Sequence, residues 1–159
     1  MSTDAELRKY VEEFALFLEN QGLPRPSGRI LGWLLVCDPP EQSMPDLVAA
    51  LGVSKSSVST ATRTLIQAQL VERLSLPGER RDYYRLADDA FSRAMAARMA
   101  QIQALRHLAE TGLARLADAP TARRERLTDM RDMYIFFETE MEPLLGRWQA
   151  YRAQRQELD

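Results

Sequence analysis

The stretch Ser43-Met-Pro-Asp-Leu-Val-Ala-Ala-Leu-Gly-Val-Ser constrains this chain more than any other. Ser43 has the side chain of a helix N-cap, and Pro45 suits a first turn, where a backbone donor is not needed. Leu47, Val48 and Leu51 then form an inner face. Gly52 follows as a residue that leaves a helix easily through the left-handed region. Ser54 caps a second helix almost at once, and that helix is expected to run to about Gln69. Val58, Ala61, Thr62, Leu65 and Ile66 share one side of it, while Ser56, Thr60, Arg63 and Gln67 share the other. Residues 70–76 and 82–86 read as two short strands, with Pro77-Gly78 marking the turn between them.

Two short helices meeting at a glycine turn, followed by a two-stranded ribbon, have the layout of a winged helix-turn-helix. The flanks are helical. Over residues 4–21, Leu7, Tyr10, Val11, Phe14, Phe17 and Leu18 recur at three- and four-residue steps, and Gly22 ends the pattern. Residues 27–37 are apolar nearly all round (Ile30, Leu31, Trp33, Leu34, Leu35, Val36), which predicts a buried central helix. After Asp88 one long stripe runs from Phe91 through Met95, Ile102 and Ala109 to Leu116, where Ala119-Pro120 breaks it. The last helix, from about Thr121 into the 150s, carries Leu127, Met130, Tyr134, Phe137, Met141, Leu145 and Trp148. Pro143 is expected to kink or divide it.

A chain of 159 residues is one domain with room for an oligomerisation arm. The terminal stripes exceed what one small core needs, so they predict a homodimer. The expected fold is mainly α with a small β-wing. Residues 1–21 would be an N-terminal dimerisation helix, 22–86 a winged helix-turn-helix DNA-binding domain, and 87–159 long C-terminal helices for dimerisation.

The net charge of −2 does not by itself point to nucleic acid. Its distribution does: residues 1–21 carry −3, residues 22–86 carry +2 and residues 87–159 carry −1. The positive island holds the second helix and the ribbon. A small, polar outer face lets a helix backbone sit deep in a major groove. Hydroxyls on Ser56, Ser57, Ser59 and Thr60 can bond phosphates or base edges, and Arg63 can pair with guanine or clamp a phosphate. The helix N-terminus, with Lys55 beside it, attracts phosphate. Arg80 and Arg81 at the ribbon tip can reach an adjacent minor groove or backbone. The rival reading is the same fold contacting a protein, without an operator; the outward Arg63, Arg80 and Arg81 weigh against it.

Other candidates carry less. Cys37, the single cysteine, lies in an apolar helix and reads as a small core residue. It also rules out an internal disulfide framework and a multi-cysteine zinc site. His107 has no partnered His or Cys, and Glu138, Glu140 and Glu142 read as a solvated face. Phe14, Phe17, Trp33 and Tyr134 can line an effector cavity, although a core role is the stronger reading. There is no Ser/His/Asp set, no phosphate-binding glycine loop and no metal-ligand spacing, so neither an enzyme nor a cofactor is expected. The longest apolar run, residues 30–37, is far short of the ~20 residues of a membrane span. The polar, acidic N-terminus is unlike a secretory signal, which predicts a cytoplasmic protein.

The stretches Gly22-Leu-Pro-Arg-Pro-Ser-Gly-Arg-Ile-Leu-Gly-Trp-Leu-Leu and Leu51-Gly-Val-Ser-Lys-Ser-Ser-Val-Ser-Thr-Ala-Thr-Arg-Thr-Leu resemble MarR-type regulators, especially a GbsR-like branch. Leu70-Val-Glu-Arg and Pro77-Gly-Glu-Arg-Arg-Asp-Tyr-Tyr-Arg-Leu resemble that group's wing. Many relatives carry glycine where this chain has Gln69, and often aspartate where it has Glu79, which leaves the local turn and wing tip open. The resemblance implies a homodimeric transcriptional regulator, more often a repressor, that binds a near-palindromic operator and is tuned by a small-molecule effector.

Overall fold

The computed structural model describes residues 2–156, which divide into two compact units between Ala94 and Met95. The first holds α1 (Ser2–Asn20), α2 (Arg25–Leu34), β1 (Gln42–Ser43), α3 (Met44–Leu51), α4 (Lys55–Gln67), β2 (Val71–Ser75) and β3 (Asp82–Leu86). Helix α5 (Ala90–Arg115) starts in it, and α6 (Thr121–Gln156) belongs to the second. The fold is mainly helical with a small β-wing, as expected.

Helix α2 is the centre of the first unit. Its Ile30, Leu31 and Leu34 are buried with Val11 of α1, Leu47 and Leu51 of α3, Val58, Ala61 and Leu65 of α4, and Val71 and Tyr84 of the wing. It begins at Arg25, two residues earlier than the sequence suggests, because Pro24 serves as N-cap and Pro26 fits the first turn. It ends at Leu34 rather than Cys37. The Val36 and Cys37 N–H groups both donate to the Trp33 carbonyl, which closes the helix in a tight turn before Asp38-Pro39. Two glycines on α2 let α1 come close. A Cβ on Gly28 would lie 2.9 Å from Ala15 Cα, and one on Gly32 would lie 3.1 Å from Phe14 Cδ1.

Helix α3 is capped as its sequence predicts. The Ser43 side chain accepts the Asp46 N–H, and the Asp46 carboxylate accepts the Ser43 N–H at 2.9 Å, forming a capping box. The Ser43 hydroxyl and N–H together hold the Asp46 carboxyl below the ordinary aspartate range. Gly52 leaves α3 at φ 61°, and the Ser54 hydroxyl accepts the Ser57 N–H at 3.2 Å to start α4.

The wing is a three-stranded antiparallel sheet in the order β1-β3-β2. Strand β1, only two residues long, was not anticipated; it pairs Gln42 with Tyr84 and Ser43 with Tyr83. Pro77-Gly78 forms the predicted turn, with Gly78 at φ 82°.

Between α4 and β2, Gln69 adopts the left-handed conformation at φ 58°. Its N–H bonds to the Ile66 carbonyl at 2.9 Å, and the Leu70 N–H to the Leu65 carbonyl at 3.0 Å, a Schellman-type closure. Glutamine therefore makes the turn that glycine would make without steric cost. Gln69→Gly is expected to stabilise the chain by up to about 1 kcal/mol, since relief of the left-handed strain outweighs the extra freedom of the unfolded glycine. Urea unfolding measures this, and a lower midpoint would show that the glutamine side chain contributes more than the strain removes.

In the second unit, α5 and α6 form an antiparallel pair. Arg106 donates to Glu138 at 2.8 Å and to Glu110 at 2.7 Å. Leu127 Cδ1 fills the space beside Gly112, 2.8 Å from where a Cβ would stand. Helix α6 runs through Pro143 as one element, so the expected division does not occur there. Its expected stripe is split: Leu127, Met130, Tyr134, Met141 and Leu145 are half-buried, while Phe137 and Trp148 are exposed, together with Met133, Ile135, Phe136 and Leu144. Among the described residues, no helix is long and apolar enough to cross a membrane.

Candidate nucleic-acid interface

Helix α4 separates its two faces cleanly. Val58, Ala61, Thr62 and Leu65 are buried. The Thr62 hydroxyl is satisfied inside the helix by donating to the Val58 carbonyl at 2.9 Å. On the opposite side Ser56, Thr60 and Arg63 are exposed, with Gln67 beyond them; Lys55 is exposed at the first residue of the helix, and Ser57 and Ser59 are half-buried on the flanks. The outer row is thus two hydroxyls and one guanidinium on a helix seated on the core by its other side, with the Lys55 ammonium at its start.

The helix start is a cluster of hydroxyls. Ser54 Oγ lies 3.0 Å from Ser56 Oγ and 2.9 Å from Ser57 Oγ. Both Ser56 and Ser57 therefore have an internal partner, and Ser56 is the more exposed of the two. Pro24, Pro26 and Ser27 of the α2 entry line a shallow hollow with Ser56, Ser57, Thr60 and Thr64 along one flank of α4. On the other flank Lys55 and Arg81 share a hollow with Met44, Pro45, Val48, Asp82 and Tyr84. The fold therefore joins the first residue of α4 to the base of the wing tip, a proximity that no sequence spacing reveals.

The two wing arginines differ in surroundings. Both are exposed, but Arg81 is near enough to Asp46 to help hold that carboxyl down. The ribbon's ion pairs are Arg73 with Asp82 at 3.5 Å and Arg85 with Glu72 at 3.3 Å; among the described residues none engages Lys55, Arg63, Arg80 or Arg81. Arg73, which the sequence did not single out, stands exposed on β2, paired with the Asp82 that lines the hollow of Lys55 and Arg81. Its signal was its place on the ribbon, four residues before the Pro77-Gly78 turn.

Burial pushes the Cys37 thiol up to about 11, which leaves little thiolate at neutral pH. His107 is exposed beside Glu110, and Glu138 is engaged by Arg106. Among the described residues no His, Cys, Asp and Glu side chains cluster as metal ligands. Trp33 donates its indole N–H to Gln42 at 3.1 Å and packs with Phe14 on the core, whereas Phe17 is exposed.

Comparison with known proteins matches residues 21–82 to the MarR family and residues 89–151 to MmpR5-like MarR family transcriptional regulators. The chain is 40% identical over 148 residues to the HTH-type transcriptional regulator MmpR5 of Mycobacterium tuberculosis (strain ATCC 25618 / H37Rv), covering 93% of this chain and 90% of that one. It is 30% identical over 81 residues to the HTH-type transcriptional repressor OpcR of Bacillus subtilis (strain 168), covering 51% of this chain and 43% of that one. The crystal structure of a transcriptional regulator superposes with a TM-score of 0.75 at 41% identity, covering 91% of this chain and 99% of that one. These matches do not confirm the GbsR-like branch. They are to regulators, not enzymes, and MarR-family regulators bind DNA and act as dimers. With its capped helix-turn-helix, its wing and a 40% identical relative along nearly its whole length, this chain belongs to the MarR family of transcriptional regulators.

Proposed function

We propose that the protein is a homodimeric repressor that binds a near-palindromic operator. The reading rests on one observation above all: Ser56, Thr60 and Arg63 are exposed along one row of a helix whose opposite side is buried, with Lys55 exposed at its first residue. That row enters the major groove, with Ser57 and Ser59 on its flanks, while Arg80 and Arg81 of the wing hold the neighbouring backbone or minor groove. Two copies of α4 reach successive major grooves roughly 34–36 Å apart. Bound in this way, the protein blocks polymerase. The winged domain over residues 22–86 makes these contacts, and the helices over residues 1–21 and 87–159 supply the dimer. The protein works in the cytoplasm, and a small-molecule effector tunes it.

The test starts with duplexes selected by the native protein from a random library, followed by binding to a selected and a random duplex at several salt concentrations. Arg63→Ala is expected to weaken the selected duplex by about 1–3 kcal/mol while barely changing the random one, because Arg63 reads a base edge. Equal loss on both would make it a phosphate contact, and no loss on either would remove it from the interface. A protein-binding module would show no salt-sensitive retention of any duplex.

A further inference from the structure

Arg29 lies on α2, outside the row that faces DNA, yet it ties together three helices. Its Nη2 donates to the Leu51 carbonyl at 2.9 Å, and Leu51 is the last residue of α3. Its Nε stands 2.6 Å from Glu12 Oε1 on α1, a charge contact rather than an aligned hydrogen bond. The other Glu12 oxygen lies 3.3 Å from Arg25 Nη2, and Arg25 also reaches Glu19 at 3.6 Å. The Arg29 side chain is 25% exposed, so water screens this bridge less than an ordinary surface pair.

Two features give the bridge a purpose beyond holding helices together. Helix α3 has no basic residue in its own last turn, although the final carbonyls of a helix need donors from elsewhere. Arg29 supplies one from a neighbouring helix. The carbonyl it holds directly precedes Gly52, the left-handed residue at φ 61° from which the chain turns into α4. A guanidinium holds two partners at a fixed angle, whereas a lysine ammonium does not.

We propose that Arg29 is a positioning residue for DNA binding: by gripping the Leu51 carbonyl and the Glu12 carboxylate together, it locks the helix-turn-helix joint to α1 and so fixes the direction of α4. This rests on α4 being the recognition helix. Because α1 is one of the proposed dimer arms, the bridge also ties the recognition helix to the arm that sets its spacing from the second copy.

Arg29→Lys keeps a charge for Glu12 and leaves the buried Ile30, Leu47 and Leu65 untouched. It is expected to bind a library-selected duplex about five- to tenfold more weakly, with binding to a random duplex and the mass by light scattering unchanged. Glu12→Gln should weaken the selected duplex in the same direction. The double variant should be no weaker than Arg29→Lys alone, because the two residues act as one unit. In the DNA-free protein, Arg29→Lys should speed amide hydrogen exchange at residues 52–55 and leave residues 58–65 as they are. Native affinity for the selected duplex, equal loss on both duplexes, or additive losses would overturn the proposal. Unchanged exchange at 52–55 would overturn it whatever the DNA result. A native protein that prefers no selected duplex would instead sink the DNA reading, with the exchange measurement still judging the bridge.

Discussion

Gly28→Ala is expected to destabilise the protein by about 1–3 kcal/mol, even though alanine is the better helix former by ~1 kcal/mol. The added methyl would lie 2.9 Å from Ala15 Cα and 3.2 Å from the Ala15 carbonyl oxygen. Both are backbone atoms, and Ala15 is fully buried, so no side chain can rotate away. The whole of α1 must lift, drawing Val11 out of the core and stretching the contact between Glu12 and Arg29. Gly112→Ala makes the informative contrast. Its methyl would meet Leu127 Cδ1 at 2.8 Å, the tip of a flexible side chain, and the cost of moving it should roughly cancel the helix gain. Thermal unfolding of both variants checks the pair, at roughly 2–4 °C per kcal/mol for a chain of this size. A Gly28→Ala variant as stable as the native protein would mean that α1 is not seated on α2 as closely as described.

The positions that sequence reading placed well are those where the cause is local. Ser43, Gly52 and Ser54 cap and release helices through bonds within three or four residues of themselves, so the short helices and the turn between them were legible, as was the outer row of α4. What escaped depends on distant partners. Strand β1 has two residues and carries no periodicity; it is a strand only because Tyr83 and Tyr84 pair with it from about 40 positions away. The meeting of Lys55 with Arg81 has the same origin, as does the grip of Arg29 on Leu51. Gly28 and Gly32 did leave a sign, four residues apart and therefore on one side of a helix, but a glycine states only that something comes close, not what. The α6 stripe shows a further limit. Three- and four-residue steps identify a helix face, yet they do not say which of its apolar residues meet α5 and which remain exposed. Gln69 shows that the backbone can take a glycine's conformation with another residue in place.

On the homodimer reading, Phe137→Asp is expected to convert the protein to a folded monomer and to lower affinity for the full operator by on the order of 100-fold or more. In the single chain Phe137 is 45% exposed, Phe136 63%, Leu144 46% and Trp148 44%. Isolated exposed apolar residues are ordinary, but this many on one helix make a patch that water-soluble monomers rarely leave open. Because Phe137 is already 45% exposed in the single chain, an aspartate there should cost the chain itself little beside what it costs the seam. Across a dimer seam the same aspartate would lose its water with no partner for its charge, which strongly disfavours association. Binding both halves of an operator with linked recognition helices gains two to four orders of magnitude over one half. The monomer forfeits that gain while its α4 and wing remain intact, so weak binding to random duplex should persist. Light scattering reports the mass, and titration of full and half operators reports the affinities. If Phe137→Asp leaves a dimer, this face is not the seam. If the native protein is a monomer at micromolar concentration and still holds its full site tightly, the paired-helix account of recognition fails with it.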